Sequence, residues 1–150
     1  MIGRFEIFSL GLSQLTAAWN KIANEELKPF GLKGRASVYM IALYKSEEGL
    51  TCANLSEMCQ RDKAEVSRVI SEMETKGLVV RDQGNGTGYR AKIRLTQEGR
   101  KATYELRERI KLAVEKGGAG LSDEEREHFY YALQVIAKNL QEITKEGLPK

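Results

Sequence analysis

Polar side chains suited to hydrogen bonding recur between Arg61 and Ser71, at the spacing of one helix face. Apolar residues from Val66 to Met73 repeat at i, i+3, i+4 and i+7, so the polar residues between them are predicted to face away from the core. Arginine can bind guanine bidentately, serine can donate to a phosphate or a base, and alanine can contact a thymine methyl. The candidate DNA-contacting residues on this helix are Arg61, Lys63, Ala64, Glu65, Ser67, Arg68 and Ser71. A solvated polar face would show the same periodicity.

Arg68 has two interpretations that the sequence leaves open. Its guanidinium could contact DNA, or it could pair with Asp62, Glu65 or Glu72 and brace the helix. We expect the DNA contact.

A second basic group follows this helix. Arg81, Arg90, Lys92 and Arg94 are opposed only by Asp82 between Leu78 and Leu95. From Arg61 to Lys101 the chain carries ten Lys and Arg against six Asp and Glu, so the positive charge is concentrated here. The residues predicted to neutralise phosphates are Arg81, Arg90 and Lys92, and such binding would depend strongly on salt. Charges that only maintain solubility are the alternative.

Catalytic and metal chemistry have little support. The chain has one histidine, His128, no phosphate-loop signature and no nucleophile motif, so we expect no enzyme activity, no cofactor and no metal site. Two cysteines are too few for a disulfide scaffold. Cys52 or Cys59 could still act as a thiol redox sensor, which requires an accessible site that favours the thiolate.

The composition is that of a small folded protein. With 150 residues, one compact unit is the default, and the mean hydropathy is −0.44. No apolar run approaches the roughly 20 residues of a membrane helix, so we expect no membrane association and a cytoplasmic location. The net charge of +3 permits binding to nucleic acid without requiring it.

The elements that must position these residues follow from periodicity and helix caps. We predict helices over 5–27, 35–45 and from Thr51, with Val38, Ile41, Ala42 and Leu43 of the second and Leu55, Met58 and Cys59 of the third turned inward. Asp62 opens a fourth helix, with Glu65 at capping-box spacing, and Gly77 ends it. Strands are predicted at 78–81 and 91–95, joined by a turn containing Gly84, Asn85, Gly86 and Gly88. Two helices follow, over 97–116 and after Ser122. The fold class is mostly α with a β wing, a winged helix-turn-helix.

The first and last helices carry apolar seams at heptad spacing. Seams of this kind need a partner surface, and a two-fold dimer supplies one economically. The predicted dimerisation residues are Phe5, Phe8, Leu12, Leu15 and Trp19 in the first helix, and Phe129, Leu133, Ile136 and Leu140 in the last.

Several motifs in this order resemble the MarR family of bacterial transcriptional regulators. They are Leu50-Thr51, Leu55, Asp62, Val66-Ser67-Arg68, Lys76-Gly77-Leu78-Val79 and Leu95-Thr96-Gln97-Glu98-Gly99. The resemblance implies a homodimer that binds double-stranded DNA at a pseudo-palindromic operator, often as a repressor. It also implies one unit over 1–150, with a DNA-binding lobe at 33–100 and dimerisation helices at 1–30 and 101–147. A winged-helix module that binds protein and not DNA is the alternative.

An effector pocket is implied mainly by the same resemblance. The family is often released from DNA by a small molecule, and a small aromatic or phenolic effector would suit an aromatic lining. The candidate lining residues are Trp19, Tyr39 and Tyr104. Aromatic residues at helical spacing are more often part of a core or a dimer seam.

Overall fold

The computed structural model describes residues 3–82 and 90–150 and contains the predicted order of elements. The helices are α1 (Arg4–Leu27), a 3₁₀ turn (Lys28–Phe30), α2 (Ala36–Tyr44), α3 (Cys52–Cys59), α4 (Lys63–Thr75), α5 (Gln97–Gly117) and α6 (Asp123–Glu146). The strands are β1 (Val79–Asp82) and β2 (Lys92–Leu95). The mostly helical fold with a two-stranded wing is therefore confirmed. The predicted turn with Gly84, Asn85, Gly86 and Gly88 lies outside the described residues.

The chain forms two compact units, residues 1–110 and residues 111–150. The first contains α1 to β2 and most of α5. The second contains the end of α5 and all of α6. The division therefore falls within α5, about ten residues after the end of the predicted DNA-binding lobe.

Reciprocal side-chain caps set the start of α3 and of α6. Thr51 accepts a hydrogen bond from the backbone N–H of Asn54, and the side-chain oxygen of Asn54 accepts one from the backbone N–H of Thr51. Ser122 and Glu125 form the same reciprocal box at α6. Each box satisfies backbone donors that the first turn of a helix leaves without partners. These caps were readable in the sequence because they involve residues only three positions apart.

A Schellman motif ends α4, as the position of Gly77 predicted. Gly77 has a left-handed conformation (φ 74°), which glycine adopts without steric cost. Its N–H donates to the carbonyl of Glu74, and the N–H of Leu78 donates to the carbonyl of Met73. The chain therefore leaves α4 in a fixed direction and enters β1.

The wing is an antiparallel hairpin in which Val79 lies opposite Leu95 and Asp82 opposite Lys92. Ile93 and Leu95 are buried, while Lys92 and Arg94 are exposed on the other face, as strand alternation predicted. Leu50 adds one isolated bridge to Ile93. This bridge joins the segment before α3 to the wing.

The motif Leu95-Thr96-Gln97-Glu98-Gly99 has a packing role. The Thr96 hydroxyl donates to the carbonyl of Gly77 at 2.7 Å and accepts from the N–H of Gly99 at 3.0 Å, capping α5. Gly99 itself packs directly against the carbonyl of Leu78. A side chain at position 99 would collide with this backbone, so glycine permits the close approach of α5 to β1.

The core lies within the winged helix. The buried stripe of α4 packs with α2, α3 and the wing, with Val66, Val69, Ile70 and Met73 all fully buried. The core predictions for α2 and α3 were right only in part. In α2, Leu43 is buried and Val38 and Ala42 pack half-buried against the core, but Ile41 is not among the core residues, and the buried face also contains Ala36, Tyr39 and Met40. Met58 is 58% exposed, because α3 turns Cys52 and Leu55 inward instead.

Both apolar seams are exposed in the single chain. In α1 the exposed residues include Phe5, Phe8, Leu12, Leu15 and Trp19. In α6 they include Phe129, Leu133, Ile136 and Leu140, and no residue of α6 is buried. Over residues 3–82 and 90–150, none of the helices has the length and apolar character needed to cross a membrane.

The packing of Gly99 against Leu78 can be tested by substitution. Gly99→Ala should lower the free energy of unfolding by roughly 1–3 kcal/mol, because the added methyl group meets rigid backbone. Gly117→Ala is the matched control, since nothing lies within 4 Å of the carbon it adds. Urea unfolding of both variants measures the difference. Equal stability of the two would contradict the close-approach argument.

Candidate nucleic-acid interface

The helix α4 presents a continuous polar face to solvent. The buried stripe fixes the opposite side of the helix in the core, so the remaining positions must point outward. The exposed residues on this face are Lys63, Ala64, Ser67, Arg68 and Ser71, all predicted DNA contacts. Arg61, just before the helix, is exposed as well. These residues therefore lie together on one exposed face of α4.

Arg68 lies exposed on this face. Among the described residues none forms an ion pair with it, although Asp62, Glu65 and Glu72 were all candidates. Asp62 instead caps the helix by accepting a hydrogen bond from the Glu65 N–H at 2.8 Å. The guanidinium of Arg68 is therefore available to a ligand outside the protein.

Glu65 differs from the other predicted contacts. Its side chain is only 19% exposed, and its Oε2 accepts a hydrogen bond from the Tyr39 hydroxyl at 2.6 Å. Arg61 and Arg35 lie 3.8 Å and 3.9 Å from its carboxylate oxygens. Because the carboxylate turns toward α2, it completes no reciprocal capping box with Asp62. The expectation that Glu65 faces DNA is revised: its side chain binds neighbouring parts of the protein.

Tyr39, one of the predicted pocket residues, is a core residue. It is fully buried, and its hydroxyl is bound to Glu65. Burial, and then the hydrogen bond and negative charge of Glu65, raise the pKa of Tyr39 well above its usual range. The hydroxyl therefore remains protonated at neutral pH and acts as a permanent donor.

The other two predicted pocket residues do not join Tyr39. Trp19 lines a cavity of about 10 Å³, which is water-sized. The other residues around it are Ile22, Ala23, Glu26, Ser37, Leu106 and Ile110, so neither tyrosine contributes. Tyr104 is exposed on α5. The aromatic set proposed from the sequence is therefore not assembled into one site.

The wing contains exposed basic residues and one arginine that contacts α4. Arg90 and Lys92 are exposed, as predicted. Arg81 instead donates to the Ser71 hydroxyl at 3.3 Å and lies 3.5 Å from the Glu74 carboxylate, with its side chain 18% exposed. Its predicted phosphate contact is revised, because the guanidinium links the hairpin to α4.

Neither of the two cysteines is exposed. Cys52 is buried at the start of α3. Burial raises the pKa of the half-buried Cys59, Arg61 lowers it and Glu65 raises it further, for a net upward shift. In the part of the chain that the structure describes, no cluster of His, Cys, Asp and Glu is arranged to hold a metal ion.

Arg35 lies near Arg61 at the Glu65 carboxylate, although no pattern in the sequence pointed to it. It precedes α2 and is 43% exposed, yet it shares the Glu65 carboxylate with Arg61. Residues 35 and 65 are 30 positions apart, so no local pattern connects them. A long-range ion pair of this kind becomes visible only in the fold.

Part of the chain matches the sequence model of a known protein family. Residues 27–94 match the sequence model described as Sugar-specific transcriptional regulator TrmB. This range runs from the end of α1 to β2, and so contains the winged helix but neither α5 nor α6. No curated protein matches the sequence.

Solved structures match over nearly the whole chain. A MarR transcriptional regulator from Methanosarcina mazei Go1 has 19% identity and a TM-score of 0.83, covering 95% of this chain and 94% of that one. A MarR family regulator from Listeria monocytogenes, complexed with 26mer DNA, has 18% identity and a TM-score of 0.84, covering 100% and 99%.

CouR from Rhodococcus jostii RHA1, bound to p-coumaroyl-CoA, is similar at 25% identity with a TM-score of 0.75. The match covers 87% of this chain and 91% of CouR. Because the matches to the MarR structures extend over the end helices as well as the wing, the chain has the complete fold of the MarR-family transcriptional regulators, and the resemblance seen in the sequence is confirmed.

Proposed function

We propose that this chain is a sequence-specific DNA-binding transcriptional regulator that works as a homodimer. The observation that carries the proposal is the exposed face of α4, where Arg68 has no ion-pair partner among the described residues. On this fold α4 is the second helix of the helix-turn-helix, the one that enters a major groove. The similar Listeria protein was solved with a 26mer DNA, which supports the same use of the fold here.

Each element has a distinct part in the proposed complex. In α4, Arg68, Ser67, Ser71 and Ala64 read base edges, while Lys63 and Arg61 contact the backbone. Arg90 and Lys92 of the wing bind flanking phosphates. A dimer would place two reading helices about one helical turn (~34 Å) apart, which matches a pseudo-palindromic site.

We also propose that an effector controls this binding and that the chain acts as a repressor. CouR, the similar protein at 25% identity, was solved with p-coumaroyl-CoA bound. An effector would shift the dimer toward a spacing of reading helices that no longer fits the site. Adding small aromatic or phenolic compounds to the protein–DNA complex should release the duplex, and release should show saturation.

The DNA-reading surface can be tested without knowing the site in advance. The wild-type protein should enrich a pseudo-palindromic sequence from a pool of random duplexes. Arg68→Ala and Arg90→Ala should each weaken binding to the selected duplex about tenfold, the scale of one lost guanidinium contact. Fluorescence anisotropy measures the affinities, and gel filtration checks that the dimer persists.

Lys138→Ala is the matched control, because it removes one positive charge from an exposed position on α6. It should leave affinity within about twofold. Failure of the wild type to enrich any sequence would refute the regulator and favour a protein-binding module. Unchanged affinity in both arginine variants would show that another surface reads DNA.

The dimer seams can be tested with charge insertions. Leu15→Glu combined with Leu133→Glu should yield monomers, because it would bury two uncompensated charges in an apolar interface. Gln14→Glu combined with Gln134→Glu adds the same charges one residue away and should remain dimeric. Light scattering distinguishes the two states. A dimeric Leu15/Leu133 variant would show that the seams are not the interface.

A further inference from the structure

One carboxylate connects three separate segments at the start of α4. Glu65 accepts a hydrogen bond from Tyr39 of α2, and it pairs with Arg35, before α2, and Arg61, in the turn between α3 and α4. Tyr39 and Arg61 approach the oxygen Oε2, while Arg35 approaches Oε1. The backbone N–H of the same residue is held by Asp62. Glu65 is therefore fixed through both its main chain and its side chain.

Arg35 and Arg61 are attracted to the Glu65 carboxylate, but their guanidinium N–H groups make no hydrogen bond to it. At 3.8–3.9 Å from the carboxylate, they are attracted by its charge but lie beyond ordinary hydrogen-bond distance. Within residues 3–82 and 90–150, neither guanidinium makes a hydrogen bond. Their side chains are 43% and 45% exposed. Each therefore keeps N–H donors for an external acceptor.

The position of Arg35 and Arg61 indicates which external group accepts their hydrogen bonds. Arg61 lies two residues before α4, next to the N-cap residue Asp62. Arg35 meets the same carboxylate, so both guanidiniums lie at the same end of the reading helix. Arg35 is outside the helix that enters the groove, where contacts to the sugar–phosphate backbone dominate. A DNA phosphate is the acceptor that this placement favours.

We infer that Glu65 is a positioning residue that holds Arg35 and Arg61 side by side at the start of α4, where both bind the DNA phosphate backbone. This adds Arg35 to the binding surface and gives Glu65 an indirect role. The inference rests on the proposed DNA binding. Its physical reason is that two like charges would separate in water, whereas a carboxylate anchored by a buried tyrosine keeps them together.

Glu65→Gln tests this inference by whether it lowers or raises the affinity for DNA. The amide oxygen can still accept the Tyr39 hydrogen bond, but the charge that holds the arginines is lost. If Glu65 only neutralised nearby cations, its removal would strengthen binding to every duplex. If Glu65 positions them, affinity should fall by up to about tenfold for the selected duplex and for a random duplex of equal length, because a phosphate contact carries no sequence information of its own.

Glu72→Gln is the matched control, since it removes an exposed carboxylate from the same helix. It should not lower affinity for either duplex. Circular dichroism and melting temperature check that each variant is folded. Equal strengthening of both duplexes by Glu65→Gln would overturn the positioning role.

Arg35→Ala tests the added contact at an exposed position where folding should be unaffected. It should weaken binding to the selected and the random duplex by similar factors. The slope of log affinity against log salt should become less steep by about one, as for one lost phosphate contact. An unchanged slope would overturn the assignment of Arg35. The proposed function itself is tested with the wild type: no preference for any duplex would overturn it. The variants test only the roles of Glu65 and Arg35.

Discussion

The burial of one stripe of α4 is the constraint on which the reading surface depends. Val66, Val69, Ile70 and Met73 are fully buried, and together they fix the rotation of the helix about its axis. Removing such a side chain from a core typically costs a few kcal/mol, so the helix cannot turn to hide its polar face. Arg68 and Ser71 are therefore exposed because of residues on the opposite, buried side of the helix. The arrangement separates the residues that stabilise the fold from those of the proposed DNA-reading face.

Much of this could be predicted from the sequence, because the deciding signals are local. The caps at Thr51 and Ser122, the glycine exit at position 77 and the alternation of Lys92 and Arg94 all involve residues within a few positions of each other. The exposure of the end-helix seams followed from heptad spacing in the same way. Strand and helix bounds differ from the predictions by about one residue, which is the usual fraying of element ends.

What could not be predicted depends on contacts between distant residues. Tyr39 looked like a pocket residue until the fold placed its hydroxyl against Glu65, 26 positions later. Arg81 looked like a phosphate contact until it met Ser71 and Glu74. In α2, which is apolar on nearly every side, periodicity could not choose the buried face. In each case the sequence supplied the residue type, and the tertiary partner decided its role.

The hydroxyl of Thr96 has a consequence beyond capping α5. It binds the carbonyl of Gly77, where the reading helix ends, and the N–H of Gly99, where α5 begins, while the Thr96 N–H binds Leu78 at the start of the hairpin. Thr96 thus links the end of α4, the start of the hairpin and the start of α5 by hydrogen bonds. A displacement of the first turn of α5 would therefore strain hydrogen bonds at the end of α4 and at the start of the hairpin together, and these two elements carry the proposed DNA-binding surface.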